Sequence, residues 1–354
     1  MPQIRGYRVG EVVHVGSVST VYRAIRESDG LPVVLKWLSA PAPTLGDLAR
    51  YRQAFETMRG IDLPNISKVL ALEEHERRPL LVMRDVGGIT LASRLSAGPM
   101  PVLEVLTLAV AIADALGSLH HHGVVHRDVN PSNIVVVGEA GAIELIDFDL
   151  ATRLRVERVE AESLRTLSGT LAYISPEQTG RMNRTVDHRT DLYALGATLY
   201  EMLAGRVPFP ETDSAALIHA HLAVPPRPLE AVAPRVPDAV AAIVMRLLAK
   251  APEDRYQSAP GLRADLMRCL DALRREQPLP LSPGKSGRLA SAAGVTASVR
   301  SRGRGRAAAG RLRTGGAGAG RARAGRRPVR RREILAGSRA LPPHRVAAGA
   351  LRVG

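Results

Sequence analysis

The sequence predicts an α+β fold in two lobes, a small β-rich lobe followed by a larger helical one. Three features point there. Apolar and polar residues alternate from Tyr7 to Leu38, the period of strands. The most apolar stretch, Val102 to Leu119, is interrupted by Glu104 and Asp114 as a buried amphipathic helix would be. Helical periodicity then recurs over 193–204 and 238–249. About 275 residues patterned in this way suit one two-lobed domain.

Tyr7 to Leu38 reads as three strands, with Asp29-Gly30 as a turn between two of them. Leu45 to Gly60 reads as a helix in the small lobe, and Ile66 to Leu72 and Leu80 to Arg84 as two further strands. Residues 84–88, ending in Gly87-Gly88, connect the lobes. Beyond them the chain turns helical. Pro208, Pro210 and Pro225-Pro226 break helices and mark surface connections.

Charge is distributed unevenly. Residues 284–354 hold 17 Arg, one Lys and a single acid, Glu333. Removing them from the chain's 49 basic and 34 acidic side chains leaves 31 and 33, so the net +15 belongs to the tail. The globular part therefore lacks the basic signature of a nucleic-acid binder. The tail has no Phe, Tyr or Trp and cannot bury enough apolar surface to offset ordering, so disorder is the expectation for 276–354. Three readings fit its Arg, Gly and Ala: non-specific contact with nucleic-acid phosphates, a free tail, or a shifted reading frame in GC-rich DNA.

The opening Met1-Pro2-Gln3-Ile4-Arg5 is no basic-then-apolar signal, and no run of about eighteen apolar residues occurs, which predicts a cytosolic protein without a membrane span. A lone cysteine, Cys269, excludes an internal disulfide framework and reads as a small apolar residue on the last helix.

Residues 126–133 read His126-Arg127-Asp128-Val129-Asn130-Pro131-Ser132-Asn133, and Asp147-Phe148-Asp149 follows the short apolar strand Ile143 to Ile146. An aspartate five residues before an asparagine, then a second aspartate after a strand, is a phosphoryl-transfer constellation. The first can take the proton of a hydroxyl. The asparagine and second aspartate offer the hard oxygen ligands that magnesium requires. Upstream, Val33-Val34-Leu35-Lys36 ends an apolar strand in a lysine. Downstream come Gly169-Thr170-Leu171-Ala172-Tyr173-Ile174-Ser175-Pro176-Glu177, Asp191-Leu192-Tyr193-Ala194-Leu195-Gly196 and Lys250-Ala251-Pro252-Glu253-Asp254-Arg255-Tyr256. In this order these segments resemble a bacterial, eukaryotic-type Ser/Thr protein kinase domain over residues 7–275, with a small lobe at 7–84, a hinge at 84–88 and a large lobe at 89–275. The run Gly180 to Asp191, with Asn130-Pro131-Ser132-Asn133 and Val21-Tyr22-Arg23, resembles more narrowly the N-terminal kinase module of large bacterial proteins. Those proteins also carry an ATPase-like module, a GAF domain and a sensor histidine kinase.

The resemblance implies roles. Lys36 would contact the α/β-phosphates of ATP, with Gly16 and Val21 above the nucleotide, Met83 as gatekeeper, and Arg84 and Val86 lending backbone groups to adenine. Asp128 would orient the substrate hydroxyl, Asn133 and Asp147 would hold Mg2+, and Thr170 would hydrogen-bond near Asp128. Arg127 would pair with a phosphate on the segment between Asp147 and Glu177, where Ser163, Thr166 and Ser168 stand among arginines. Glu177 and Arg255 would form a structural ion pair, and Asp191 would open the central helix of the large lobe.

Departures from the pattern matter equally. Of three expected glycines in the nucleotide loop, His14, Gly16 and Ser19 retain one, so the loop should grip ATP less tightly or in another shape. The glutamate expected to pair with Lys36 falls on Ala54. Glu56 lies about 200° further round the helix and would face away. Asn130 replaces a catalytic-loop lysine, and Asp149 replaces the glycine of the magnesium motif. The reading is an ATP-dependent kinase acting on Ser/Thr hydroxyls of a protein substrate, with reduced or conditioned activity. A pseudokinase that binds nucleotide and regulates a partner is the alternative, argued from Ala54 and the eroded loop. A small-molecule phosphotransferase is disfavoured by Gly169–Glu177 and Asp191, which resemble a peptide-substrate platform.

Overall fold

The structure, a computed structural model, describes residues 2–138, 141–153 and 170–279. The small lobe is a five-stranded antiparallel sheet in the order β1-β2-β3-β5-β4, built from β1 (Tyr7–Val15), β2 (Thr20–Arg26), β3 (Pro32–Trp37), β4 (Val69–His75) and β5 (Arg78–Arg84). Alternation places Tyr22, Ala24, Val33, Leu35, Leu80 and Val82 on one buried face, capped by Ile4 and Tyr7. The predicted Asp29-Gly30 turn is present: Gly30 is left-handed (φ 72°) and Asp29 Oδ1 accepts the Leu31 N–H at 3.2 Å.

The helix α1 (Leu45–Met58) starts at a reciprocal cap. Thr44 Oγ1 accepts the Asp47 N–H at 3.1 Å, and Asp47 Oδ2 accepts the Thr44 N–H at 2.9 Å. Tyr51, Ala54 and Met58, three and four residues apart, form its buried face.

Two strands start elsewhere than the sequence reading placed them, and the first of them also runs on to His75. The strand expected from Ile66 begins at Val69, because Asn65 is left-handed (φ 64°) and Ile66 makes a lone parallel bridge to Leu145. The strand expected from Leu80 begins at Arg78. Its hairpin turns on Glu76 and Arg77, both at positive φ (49° and 61°) with no glycine or asparagine to announce it.

The large lobe opens with β6 (Ile89–Thr90) and α2 (Leu91–Leu95). Its centre is α3 (Val102–His121), packed on α8 (Ala259–Arg274) and on α4 (Arg189–Ala204). Among the described residues α3 is the one helix long and apolar enough to cross a membrane; here Val105, Leu108, Ile112, Leu116 and Leu119 lie in the core. α5 (Ser214–Ala223), α6 (Leu229–Val232) and α7 (Asp238–Leu247) complete the lobe, and the predicted prolines fall between α4, α5 and α6. Gly196 lets α4 and α7 meet, since a Cβ there would stand 2.6 Å from the Leu247 Cβ. Cys269 is a buried free thiol on α8, as expected.

Three short pairings position the site. β8 (Ile134–Val137) joins β6 and β9 (Ala142–Leu145), while β7 (Val124–Val125) pairs with β10 (Thr152–Arg153). The lobes meet behind them, where Ser67 N–H reaches Leu145 O at 2.8 Å and Leu145 N–H reaches Asn65 O at 2.9 Å. The tail beyond 279 and the serines and threonines of 163–168 lie outside the described residues.

Candidate active site

The loop after β7 is held from beneath by Asp191, in the first turn of α4. Its buried carboxylate accepts the His126 N–H at 2.9 Å and the Arg127 N–H at 2.7 Å, and also meets His120 Nε2 at 2.8 Å. Burial would raise the Asp191 pKa; the His120 contact and these donors hold it below the usual range. Arg127 is thereby kept in a left-handed backbone (φ 67°), a strained state for a long side chain.

That kink presents Asp128. Both of its oxygens accept side-chain amides, Oδ1 from Asn130 at 3.0 Å and Oδ2 from Asn133 at 2.8 Å. Both amides also reach the Asp128 carbonyl, at 3.1 and 2.9 Å. Burial, then the charge of Asp147, pushes the Asp128 carboxyl up to about 7 against the pull of these amides. Asn130 thus braces Asp128, a role that its substitution for a lysine did not suggest.

Asp147 is also left-handed (φ 62°). Its approach is fixed by Ile146, whose N–H meets Asn133 O at 3.0 Å and whose carbonyl meets His126 Nε2 at 3.1 Å. Phe148 packs beside the His126 ring, with centroids 4.8 Å apart. Lys36, on β3 opposite Val21, reaches across the lobes: Nζ lies 2.8 Å from each Asp147 oxygen and 2.8 Å from Asp149 Oδ2. Burial alone would lower the Lys36 pKa, but the two carboxylates leave it raised. Asp147 is held low by Lys36 despite its burial; Asp149 is raised by burial and by Asp147.

The donor set suits magnesium. The Asn133 amide nitrogen is committed to Asp128, which turns its Oδ1 into the group offered to a cation. With the Asp147 carboxylate it would give a bound Mg2+ two hard oxygen ligands, in keeping with the few protein ligands that ion takes beside phosphate.

Around the nucleotide position, Val21 sits in register with His14 and Lys36, and Met83 is buried between Val34 and Val69. The β1–β2 turn is tight: Gly16 N–H meets Ser19 O at 2.8 Å, and Val18 O accepts the Ala40 N–H at 3.0 Å. The hinge after Arg84 is braced by Arg23, whose Nε lies 3.2 Å from Asp85 Oδ2 and whose Nη2 donates to Gly88 O at 2.9 Å. Gly88 is obligatory, since a Cβ would stand 2.3 Å from Val136 O. Val86 lies between these two braced positions.

Two more residues matter here: Arg23, which the sequence offered only within a resembling run, braces the hinge, and Tyr51 is an α1 aromatic whose hydroxyl pKa is pushed up by its burial beside the charges of Lys36, Asp149 and Asp147. The expected partner for Lys36 is absent from α1, with Ala54 fully buried and Glu56 exposed beside Arg59.

The structural pair is as expected. Arg255 and Glu177 are buried and bidentate at 2.7 and 2.8 Å. The other guanidinium hydrogens reach the carbonyls of Ala249, Arg189 and Lys250, and the plane stacks 4.8 Å from the Tyr193 ring. Thr170 opens a short turn, Thr170–Tyr173, and its side chain lies outside the described residues. A small cavity of about 10 Å³ beside Asp128 is lined by Val129, Tyr173, Ile174 and Gln178, and Gln178 Nε2 donates to Arg127 O at 2.8 Å.

This fold and site define a protein kinase domain, and residues 7–266 match that family, to which the chain belongs. It is 34% identical over 252 residues to the serine/threonine-protein kinase Pkn1 of Myxococcus xanthus, covering 70% of this chain and 36% of that protein. Identity to the serine/threonine-protein kinase PknB of Mycolicibacterium smegmatis is 32% over 282 residues, 78% of this chain and 45% of that protein. Against PknB of Mycobacterium tuberculosis it is 31% over 302 residues, 83% of this chain and 48% of that protein. The chain thus spans less than half the length of these curated relatives.

Proposed function

We propose that this chain transfers the γ-phosphoryl group of ATP to serine or threonine hydroxyls of a protein substrate. The observation that carries the reading is the convergence of Asp128, Asn133, Asp147 and Lys36 from both lobes on one site. The names of the relatives, all Ser/Thr-protein kinases, support the same class. Bound Mg-ATP would supply the phosphoryl group and a cation to neutralise its charge. Lys36 would place its ammonium on the α/β-phosphate oxygens, and Asn133 Oδ1 and the Asp147 carboxylate would hold the metal. Asp128, fixed by two amides, would orient the substrate hydroxyl and take its proton. Arg84 and Val86 would offer backbone groups to adenine in a hinge stiffened by Arg23.

The stretch from Gly180 to Asp191 supports placing this domain within a larger signalling protein. Incubation of the full chain with Mg-ATP and generic protein substrates tests the central reading. ATP binding without any phosphoryl transfer, where a control kinase works, would replace it with a nucleotide-binding regulatory module.

A further inference from the structure

We propose that Asp149 is the resident counter-ion of Lys36, doing from the magnesium motif what a glutamate on α1 would otherwise do. The inference rests on the reading of Lys36 as the phosphate-binding lysine. A lysine only 8% exposed in its side chain needs a partner charge at every stage. Asp147 serves while no metal competes for it, but a metal ligand cannot also remain the full partner of an ammonium. α1 has no substitute to offer. Its two acids are Asp47, bound to the N-cap by Thr44, and Glu56, whose side chain is 64% exposed and 3.7 Å from Arg59. The inward register holds Ala54.

Asp149 fills that gap with fixed geometry. Its Oδ2 lies 2.8 Å from Lys36 Nζ, and its N–H meets Asp147 Oδ1 at 3.3 Å in a turn anchored by buried Phe148. A glycine at 149 would leave Lys36 with Asp147 as its one carboxylate. α1 is meanwhile attached to the following segment directly, through Gln53 Nε2 to Ala151 O at 3.2 Å and Arg153 Nη2 to Thr57 O at 3.0 Å. Lys36 is therefore oriented by the turn Asp147-Phe148-Asp149, not by a charge on α1. Asp149 is a positioning residue, acting on phosphate through Lys36.

Two measurements on the full chain test this. In the nucleotide-free protein, Lys36→Met and Asp149→Asn form a double-mutant cycle read by denaturant unfolding. The pairing requires the double variant to lose less stability than the sum of the singles; additivity overturns it. This readout needs no catalysis, so it stands even if the wild-type chain transfers no phosphate and the kinase reading falls. In the transfer assay, Asp149→Asn should lower kcat roughly ten- to a hundredfold, the worth of a charged hydrogen bond. The Mg2+ dependence of ADP binding should stay unchanged. Ala54→Glu should recover that loss in the Asp149→Asn background and give no gain in the wild type. A several-fold higher Mg2+ requirement for Asp149→Asn would make Asp149 a metal ligand and overturn the proposal. Should Ala54→Glu fail to fold, Asp149→Gly decides: equal or higher kcat than wild type contradicts the role, and a matching loss sustains it.

Discussion

Asp191 accepts the Arg127 N–H at 2.7 Å, so a carboxylate in the first turn of α4 holds the left-handed backbone that presents Asp128. Replacing Asp191 with Asn keeps the shape but removes an acceptor from a buried position. The expected loss is roughly 1–3 kcal/mol of stability, the cost of a buried unpaired donor. Transfer rate should fall with it as Arg127 relaxes. An unchanged unfolding midpoint and rate for Asp191→Asn would show that the kink needs no such support.

Glu177 and Arg255 are buried together with every guanidinium hydrogen accepted. Removing either alone should cost about 3–5 kcal/mol, because the other charge stays buried without its partner. Glu177→Leu with Arg255→Met should cost less than the two singles combined. Chemical denaturation of the four proteins measures this directly.

His221 sets a pH limit. Burial, then the charge of Lys250, drives its pKa down from 6.5 to about 3, while its Nδ1 sits 2.9 Å from the Tyr193 hydroxyl. The unfolded chain takes up a proton below about 6.5 and the folded one does not, so stability is full above that value and drains as pH falls towards 3. The stability advantage of the wild type over His221→Gln should therefore shrink as pH falls from about 7 to about 5, whatever the other buried acids do to the midpoint of both proteins. An unaltered slope in the variant would place the titration elsewhere.

Asn130 braces one oxygen of Asp128 and its carbonyl. Asn130→Ala should slow transfer about tenfold, the worth of one such hydrogen bond. Nucleotide affinity should be unaffected, since Asn130 points at Asp128 and not towards Lys36. A loss confined to ATP affinity would assign Asn130 to the nucleotide instead.

The two-lobed architecture and most of the site were legible because the informative residues stand in short runs. Residues 126–133 bring Asp128, Asn130 and Asn133 together within one loop, and strand alternation delivers Lys36 to the inner end of β3. Glu177 and Arg255 could be paired only through resemblance, and the geometry agrees. What escaped sequence reading depends on long-range direction. Asp149 meets Lys36 across 113 residues, and its aim follows from the positive φ of Asp147, which no composition reveals. Glu56 facing outward was legible from the helical period once resemblance had placed the inward position at Ala54, yet the charge replacing it was not. The Glu76-Arg77 turn went unseen because neither residue favours the backbone it adopts.

The most direct test compares the wild-type chain with Asp128→Asn in Mg2+-dependent transfer of γ-labelled phosphate from ATP, alongside ATP affinity. The wild type should label itself or a protein substrate on serine or threonine. Asp128→Asn should be slower by about a hundredfold or more, the scale of a lost general base, with ATP affinity retained. Equal transfer by both proteins, or ATP binding by the wild type with no transfer at all, would contradict the assignment of Asp128 to the substrate hydroxyl.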